Sequence, residues 1–265
     1  MAETNGVPLG AHLRAARSAG RKLLVPYMTG CFQPGWVDVV AAYVEAGADA
    51  IEIGFPFSDP VMDGPTIQAA SAKALQNGAT PMGILSELRR FECPVPLVVM
   101  TYYNLVYRAG LERFAAEMAE AGVLGIILPD VPLEELGPWH EVAAAHGIET
   151  VGLVGPITPD DRMQRVCDAA SGFVYGVNLM GVTGERADVS EDSAVLAGRI
   201  RAATDLPAIM GFGISTPAQA ASVASASDGV IVASAIMHRL LDGGSADDAG
   251  AFVAGLRKAL DQNGS

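Results

Sequence analysis

Residues 49–54 read DAIEIG, a short apolar segment with one glutamate between two isoleucines. Seven further segments are equally short and rich in apolar residues, and longer amphipathic stretches separate them. This alternation predicts βαβ units and a parallel sheet, and eight strands close a (β/α)8 barrel. The other predicted strands are LLVPYMT from Leu23, PLVVMTY from Pro96, LGIILPD from Leu124, ETVGLVG from Glu149, GFVYGVN from Gly172, PAIMGFG from Pro207 and GVIVASA from Gly229.

The length of the chain fits this architecture. Its 265 residues are near the usual size of a TIM barrel, and we predict one domain over residues 1–265. An extra N-terminal helix, LGAHLRAARSAG, is expected to cover the bottom of the barrel, and a final helix, DDAGAFVAGLRKAL, to complete its wall. Helix starts are predicted at Thr80-Pro81, Thr158-Pro159 and Thr216-Pro217, where a hydroxyl cap precedes proline.

Charge and cysteine content exclude several classes of function. The net charge of −13 argues against nucleic acid and an anionic membrane surface, since both require clustered Lys and Arg. The three cysteines are far apart without a CxxC pair, so we predict neither a disulfide framework nor a metal site. No apolar run approaches the ~18 residues of a transmembrane helix. We therefore expect a cytoplasmic protein.

Three acidic residues lie in the second predicted strand or in the loop that follows it. Alternation along AIEIG turns Ile51 and Ile53 towards the helices and Glu52 into the barrel, where apolar walls raise the pKa of a carboxyl group. We interpret Glu52 as a catalytic acid or base; the alternative is a buried acid paired with an inward Arg or Lys. Asp63 precedes a helix start and could equally be a helix cap. Asp59, before Pro60, is interpreted as a turn residue.

Three later loops indicate an anion site. GVTGER from Gly181, GFGIST from Gly211 and ASAIMHRL from Ala233 follow the last three predicted strands, where barrels commonly bind phosphate. The backbone N–H groups of Gly184, Gly213 and Ser234 would be the donors. Glycine also favours tight β/α turns, so the loops could instead be purely structural.

Five segments together resemble the tryptophan synthase alpha chain family. They are IEIGFPFSDPVMDGPTIQ from Ile51, MTYYNLVYRAG from Met100, ILPDVPLEE from Ile127, GVTG from Gly181 and GFGIS from Gly211. The resemblance implies retro-aldol cleavage of indole-3-glycerol phosphate to indole and glyceraldehyde 3-phosphate. It also implies no cofactor in this chain, and a pyridoxal-phosphate-containing beta chain as partner in an α2β2 assembly.

The resemblance assigns roles residue by residue. It implies that Glu52 shuttles protons, that Asp63 binds the indole N–H, and that Thr183 belongs to a mobile loop which closes towards Asp63. Tyr175 would lie near the substrate, and the phosphate donors would be Gly184, Gly213 and Ser234. The indole pocket would be lined by Tyr27, Ile67, Met100 and Ile127, each of which fits an apolar core role equally well.

The sequence departs from the family pattern at three places. TGCFQPGW follows the first predicted strand where the family has a Gly-Asp-Pro turn, and Asn178-Leu179-Met180 replaces a segment that usually contains arginine. Ala233 stands where glycine is common. The second departure bears on how the loop before Gly181 is held closed.

Other functions stay open at this stage. One is a free-standing lyase that releases indole; another is a non-catalytic partner that only activates a beta chain. A third, an unrelated phosphate-sugar isomerase or aldolase, rests on fold analogy alone. An aldolase would need an inward lysine for a Schiff base, and Lys22 and Lys73 are poorly placed for that.

Overall fold

The fold is that of a parallel β-barrel surrounded by helices, seen in a computed structural model that describes residues 7–177, 189–211 and 213–262. Within these ranges there are nine strands. They are β1 Leu23–Thr29, β2 Ile51–Gly54, β3 Leu97–Met100, β4 Val123–Ile127, β5 Glu149–Thr150, β6 Gly152–Val154, β7 Val174–Val177, β8 Ala208–Gly211 and β9 Gly229–Val232.

The strands form a single sheet in which every pairing is parallel. Their order in the sheet is β5-β4-β3-β2-β1-β9-β8-β7-β6. The two ends of this order, β5 and β6, are consecutive in the chain and separated only by Val151. The predicted fifth strand is therefore split: Glu149–Thr150 pairs with β4, and Gly152–Val154 pairs with β7. With these two pieces counted as one strand, the eight-stranded barrel is confirmed.

Helices cover the outside of the barrel. In chain order they are α1 Leu9–Ser18, α2 Trp36–Glu45, α3 Pro65–Gln76, α4 Pro81–Phe91, α5 Tyr103–Ala109, α6 Leu111–Glu120, α7 Gly137–Ala145, α8 Asp160–Ala169, α9 Val189–Ala203, α10 Pro217–Ala226, α11 Ser234–Leu241 and α12 Ala246–Gln262, with a short 3-10 turn at Leu133–Glu135. Among the described helices, none combines the length and the apolar character needed to cross a membrane.

The N-terminal helix closes the barrel bottom, as predicted. Leu9 and Leu13 of α1 are fully buried in the interior cluster that also contains Leu23 and Phe173. The Gly10 N–H donates to Glu149 Oε2 at 2.6 Å, which ties the first turn of α1 to the start of β5. The bottom is thus sealed by apolar packing, and charge-assisted hydrogen bonds of α1 such as this one reinforce it.

The last helix completes the outer wall, and it carries a buried ion pair. α12 packs against α2 and α10. Arg257 of α12 lies 3.2 Å from Asp49, whose carboxylate also pairs with Arg21 at 2.5 Å and accepts from the Leu24 N–H at 2.8 Å. Because Asp49 is only 5% exposed, these partners compensate for its desolvation.

Two of the three predicted helix caps are confirmed. Thr80 accepts from the Gly83 N–H, and Thr216 with Gln219 forms a capping box. The prediction for Thr158 was wrong. Its hydroxyl accepts from the Gly155 N–H at 3.0 Å inside the loop after β6, and α8 begins two residues later at Asp160. The Thr158 hydroxyl is therefore engaged within the loop and does not cap α8.

Candidate active site

A cavity of about 610 Å³ opens at the carboxyl end of the barrel strands, where barrel enzymes place their active sites. It is lined by side chains from the interior ends of the strands and from the loops that follow. All the predicted site residues within the described ranges border it: Tyr27, Glu52, Asp63, Ile67, Met100, Ile127, Tyr175, Gly213 and Ser234. The structure thus brings these nine positions together.

Glu52 borders the cavity from the wall of the barrel. Its neighbours Ile51 and Ile53 pack in the layer between sheet and helices, so the alternation places Glu52 inside the barrel. The side chain is 2% exposed, and its Oε2 has no hydrogen-bond partner among the described residues. Burial, reinforced by the nearby charge of Asp63, raises the pKa of Glu52 to about 8. The alternative of an acid paired with an inward base finds no support within these residues.

Asp63 lies at the mouth of the same cavity. Burial raises the pKa of its carboxyl to about 6, while a hydrogen bond from Tyr102 opposes the rise. The N-cap of α3 is Gly64, which makes no side-chain capping bond. Asp63 Oδ2 instead accepts from the Tyr102 hydroxyl at 3.1 Å. Asp63 is therefore not a helix cap.

Asp59 lies apart from the two cavity acids. It is exposed on the loop between β2 and α3, and its carboxylate accepts from the Ser58 hydroxyl at 2.6 Å. Its carbonyl oxygen also accepts from the Val61 N–H at 2.8 Å. Both contacts are local, as expected for a residue that shapes a turn.

Two buried tyrosines flank Glu52. Tyr27 is the register partner of Glu52 in the β1–β2 ladder, and its hydroxyl accepts from Thr29 Oγ1 at 3.3 Å. Its ring covers Gly54, where a Cβ atom would clash with the phenol. Burial raises the pKa of Tyr27 and of Tyr175 well above the ordinary range, so both phenols stay neutral.

Several large apolar side chains line the cavity. Ile67, Met100 and Ile127 lie on three different elements, α3, β3 and β4. Ile127 is 1% exposed and Ile67 is 8% exposed. A flat aromatic ring would be desolvated by these side chains and by Tyr27, so the arrangement suits an aromatic ligand.

The side of the cavity formed by β8, β9 and α11 includes the small residues Gly211, Gly213, Ala233 and Ser234. Gly213 has a φ of 65°, a left-handed conformation that favours glycine, and lies in the loop after β8. Ser234 begins α11, whose N-cap, Ala233, makes no side-chain capping bond. Ala233 has a φ of −114°, so alanine fits here without strain and this departure from the family pattern needs no glycine.

Two predicted residues, Thr183 and Gly184, lie outside the described residues, as do Asn178, Leu179 and Met180. Sequence reasoning also missed residues that border the cavity or shape it, namely Tyr102, Pro129, Leu153 and Thr158. Tyr102 could have been found, because it is a polar aromatic residue two positions beyond the end of β3. Leu153 has no such signal, since it resembles any other strand leucine.

The described residues contain no group of three or more His, Cys, Asp or Glu side chains that could hold a metal ion. The expectation that the chain works without a metal or a cofactor stays a prediction. What the cavity does offer is two acids of unequal pKa, an apolar wall and a helix N-terminus. These parts suit proton transfer on an aromatic ligand that carries an anionic group.

Comparison with known proteins agrees with this geometry. The sequence profile of the tryptophan synthase alpha chain family matches residues 13–258. The tryptophan synthase alpha chain of Streptomyces coelicolor is 45% identical over 249 residues, which are 92% of this chain and 91% of that one. The corresponding protein of Methanosarcina mazei is 47% identical over 207 residues, or 78% of this chain and 76% of that one.

Solved structures of tryptophan synthases have the same fold as this chain. A chain of the Mycobacterium tuberculosis tryptophan synthase superposes with a TM-score of 0.87 at 36% identity, covering 95% of this chain and 97% of that one. The alpha subunit from Legionella pneumophila gives a TM-score of 0.89 at 32% identity, covering 96% and 98%. From its sequence, its barrel and the position of its cavity, the chain belongs to the tryptophan synthase alpha chain family.

Proposed function

We propose that the chain cleaves indole-3-glycerol phosphate at this cavity, with Glu52 and Asp63 as its catalytic residues. As a member of its family the chain is a carbon–carbon lyase of tryptophan biosynthesis. The observation that carries the residue roles is geometric: Glu52, which is buried with Oε2 unpartnered among the described residues, borders the same cavity as Asp63. Burial raises the pKa of both acids to different extents. With pKa values of about 8 and about 6, the site at pH 7 holds a protonated Glu52 beside an ionised Asp63.

This pair of protonation states matches the first step of a retro-aldol cleavage. Glu52 donates its proton to C3 of the indole, and the ring becomes an indolenine cation. Asp63 accepts a hydrogen bond from the ring N–H and stabilises the new positive charge. The carboxylate of Glu52 then removes the proton of the glycerol hydroxyl next to C3. The bond from C3 to that carbon breaks, its electrons return to the ring, and indole and an aldehyde are formed with no co-reactant.

The remaining residues bind and orient the substrate. The indole ring lies against Tyr27, Ile67, Met100 and Ile127, and Tyr175 lies beside the glycerol chain. The phosphate binds at Gly213 and Ser234, because the N-terminus of α11 carries partial positive charge and backbone N–H donors. Thr183 and Gly184 complete the site in this proposal.

Indole release from indole-3-glycerol phosphate tests the proposal directly. The purified chain is incubated with substrate alone and with a tryptophan synthase beta chain, and indole is followed by absorbance. We expect release that increases when the beta chain is added and that falls about 100-fold or more, to a small but measurable rate, in Glu52→Gln and Asp63→Asn variants. Glu141→Gln, on the exposed face of α7, is the matched control. Full release by Glu52→Gln would refute the assigned role.

We also propose a beta chain as partner, docked over the cavity mouth in an α2β2 assembly. Four large apolar side chains are exposed on the loops and helix that follow β2, β3 and β6. Their exposed fractions are 81% for Val61, 46% for Met62, 70% for Tyr107 and 86% for Ile157. A partner that covers this rim would bury them and let indole leave the cavity without entering bulk water.

Measuring the binding of a beta chain to variants of these exposed residues tests the proposed surface. Tyr107→Asp and Ile157→Asp should each weaken association with a beta chain by ten-fold or more, since a desolvated charge is placed in an apolar interface. Val195→Asp is the control, because Val195 is equally exposed, at 66%, but lies on α9 on the outer wall. Equal weakening by all three variants, measured by sedimentation, would contradict this surface.

Two broader expectations belong to the same proposal. The continuous barrel over the described residues supports a single domain. All three cysteines, Cys31, Cys93 and Cys167, are free thiols, which supports a reducing compartment such as the cytoplasm. Thiol labelling of the protein in intact cells would test the second point.

A further inference from the structure

Tyr102 connects two of the loops at the cavity mouth. It follows β3 and is the N-cap residue of α5. Its side chain is 3% exposed, and its ring stacks on Phe57 with centroids 4.8 Å apart and planes at 22°. Phe57 belongs to the loop between β2 and α3, so the two loops share an aromatic contact.

The hydroxyl of Tyr102 bonds to the backbone and the side chain of that neighbouring loop. It accepts from the Met62 N–H at 3.0 Å and donates to Asp63 Oδ2 at 3.1 Å. A phenol has one proton to donate. Because the Met62 N–H occupies the acceptor side, the proton is directed to Asp63, and the pair of bonds fixes the orientation of the carboxyl group.

The start of α5 is itself held in place. The Tyr103 N–H donates to both carboxylate oxygens of Asp130, at 2.9 and 3.2 Å. Asp130 lies in the loop after β4 and thus supplies the capping acceptor that Tyr102 does not provide. The backbone next to Tyr102 is therefore held by a contact that does not involve Asp63, which fixes the position from which the Tyr102 hydroxyl reaches that acid.

We propose that Tyr102 is a positioning residue for the cleavage reaction, which holds Asp63 Oδ2 so that Oδ1 faces the indole N–H. The inference rests on the proposed function, because it assigns Oδ1 to a bond with the substrate. Without the phenol hydroxyl the carboxyl group can rotate and loses a donor to its ionised form. Both changes weaken the bond that stabilises the indolenine cation.

The Tyr102→Phe variant tests this inference, because it removes the hydroxyl and keeps the ring on Phe57. We expect kcat to fall on the order of 10-fold with KM nearly unchanged, since the lost interaction acts mainly on the charged intermediate. The acid limb of the pH profile should move to higher pH, because the hydrogen bond from Tyr102 lowers the pKa of Asp63. Adding Tyr102→Phe to Asp63→Asn should cause no further loss.

A second readout does not require turnover. The carboxyl carbon of Asp63 can be titrated by NMR, and its midpoint should rise in Tyr102→Phe. Tyr43→Phe is the control for loss of a buried hydroxyl, because Tyr43 is fully buried on α2 and donates to the Tyr27 carbonyl at 3.4 Å. It should leave kcat and the Asp63 midpoint unchanged.

The outcomes separate this inference from the proposed function. If the parent releases no indole, the proposed function fails, and an unshifted NMR midpoint would also overturn the role of Tyr102. If the parent is active but Tyr102→Phe keeps its kcat and its Asp63 midpoint, only the positioning role is overturned. An equal loss of activity in the Asp63→Asn background would likewise reject a role that acts through Asp63.

Discussion

The Glu52→Gln variant should be more stable than the parent protein and less active. The substitution keeps the shape of the side chain and removes its ionisation. In the folded protein, burial raises the pKa of Glu52 from 4.5 to about 8, and the negative charge of Asp63 contributes to the rise. As the pH rises through this interval, the unfolded chain releases the proton before the folded one does. The contribution of Glu52 to the free energy of unfolding therefore falls with increasing pH.

The size of the effect follows from the two pKa values. Each pH unit in the interval costs about 1.4 kcal/mol. Between pH 4.5 and pH 7, Glu52 lowers the free energy of unfolding by about 3 kcal/mol. Above the folded-state pKa of about 8, this loss of stability reaches a constant value of about 5 kcal/mol. Glutamine has no such cost. The variant should thus match the parent near pH 4.5 and exceed it by about 3 kcal/mol at pH 7.

Urea unfolding at pH 5, 7 and 8.5 measures this difference, with indole release measured on the same samples. Activity should fall about 100-fold or more, because the proton donor to C3 is lost. Glu141→Gln, at the exposed site on α7, should follow the parent at every pH. If Glu52→Gln has the same dependence of stability on pH as the parent, the carboxyl of Glu52 ionises normally in the folded protein and the reasoning is refuted.

Three further outcomes are expected. Indole release should follow a bell-shaped pH profile with limbs near 6 and 8, because it is lost as Asp63 gains a proton at low pH and as Glu52 releases one at high pH. Gly54→Ala should lower the free energy of unfolding by about 1–3 kcal/mol and reduce activity, since the added Cβ clashes with Tyr27. Asp49→Ala should cost about 3 kcal/mol in urea unfolding and leave turnover by the folded enzyme unchanged, because it breaks an ion pair at the opposite end of the barrel.

Each of these outcomes has its own check. Initial rates between pH 5 and 9 give the profile, and a flat profile would contradict the assigned protonation states. Gly137→Ala is the control for Gly54→Ala, because a Cβ at Gly137 meets nothing within 4 Å. For Asp49→Ala, a fall in turnover without a fall in stability would mean that the bottom of the barrel acts on the active site.

The barrel and the inward position of Glu52 could be predicted because both follow from local alternation. An apolar strand with helices outside and packed side chains inside must place every second residue on the same face. Ile51 and Ile53 on the outer face therefore fix Glu52 on the inner one. The carboxyl ends of parallel strands meet at one edge, so the loops after several strands were expected to share a cavity.

Features that depend on contacts between distant segments could not be predicted. The hydroxyl of Thr158 has two possible partners, a helix N–H and the Gly155 N–H, and only the loop geometry selects between them. A helix-cap role stayed open for Asp63 in the sequence because its partner in the structure, Tyr102, is 39 residues away. The interruption at Val151 could not be predicted from the sequence either, because ETVGLVG has the apolar content of one continuous strand.

That interruption determines what holds the ring of strands together. Around the rest of the barrel, hydrogen-bonded ladders pass from strand to strand. At Val151 the backbone joins a segment that pairs with β4 to a segment that pairs with β7. Two hydrogen bonds reinforce this junction, from the Val151 N–H to the Ile126 carbonyl at 2.9 Å and from the Ser171 N–H to the Thr150 carbonyl at 2.8 Å. Cutting the chain in a loop outside the sheet would leave the ring of strands continuous. Cutting it at Val151 would leave hydrogen bonds of this kind to close the ring. Without them the sheet would have two free edges, each able to pair with another chain.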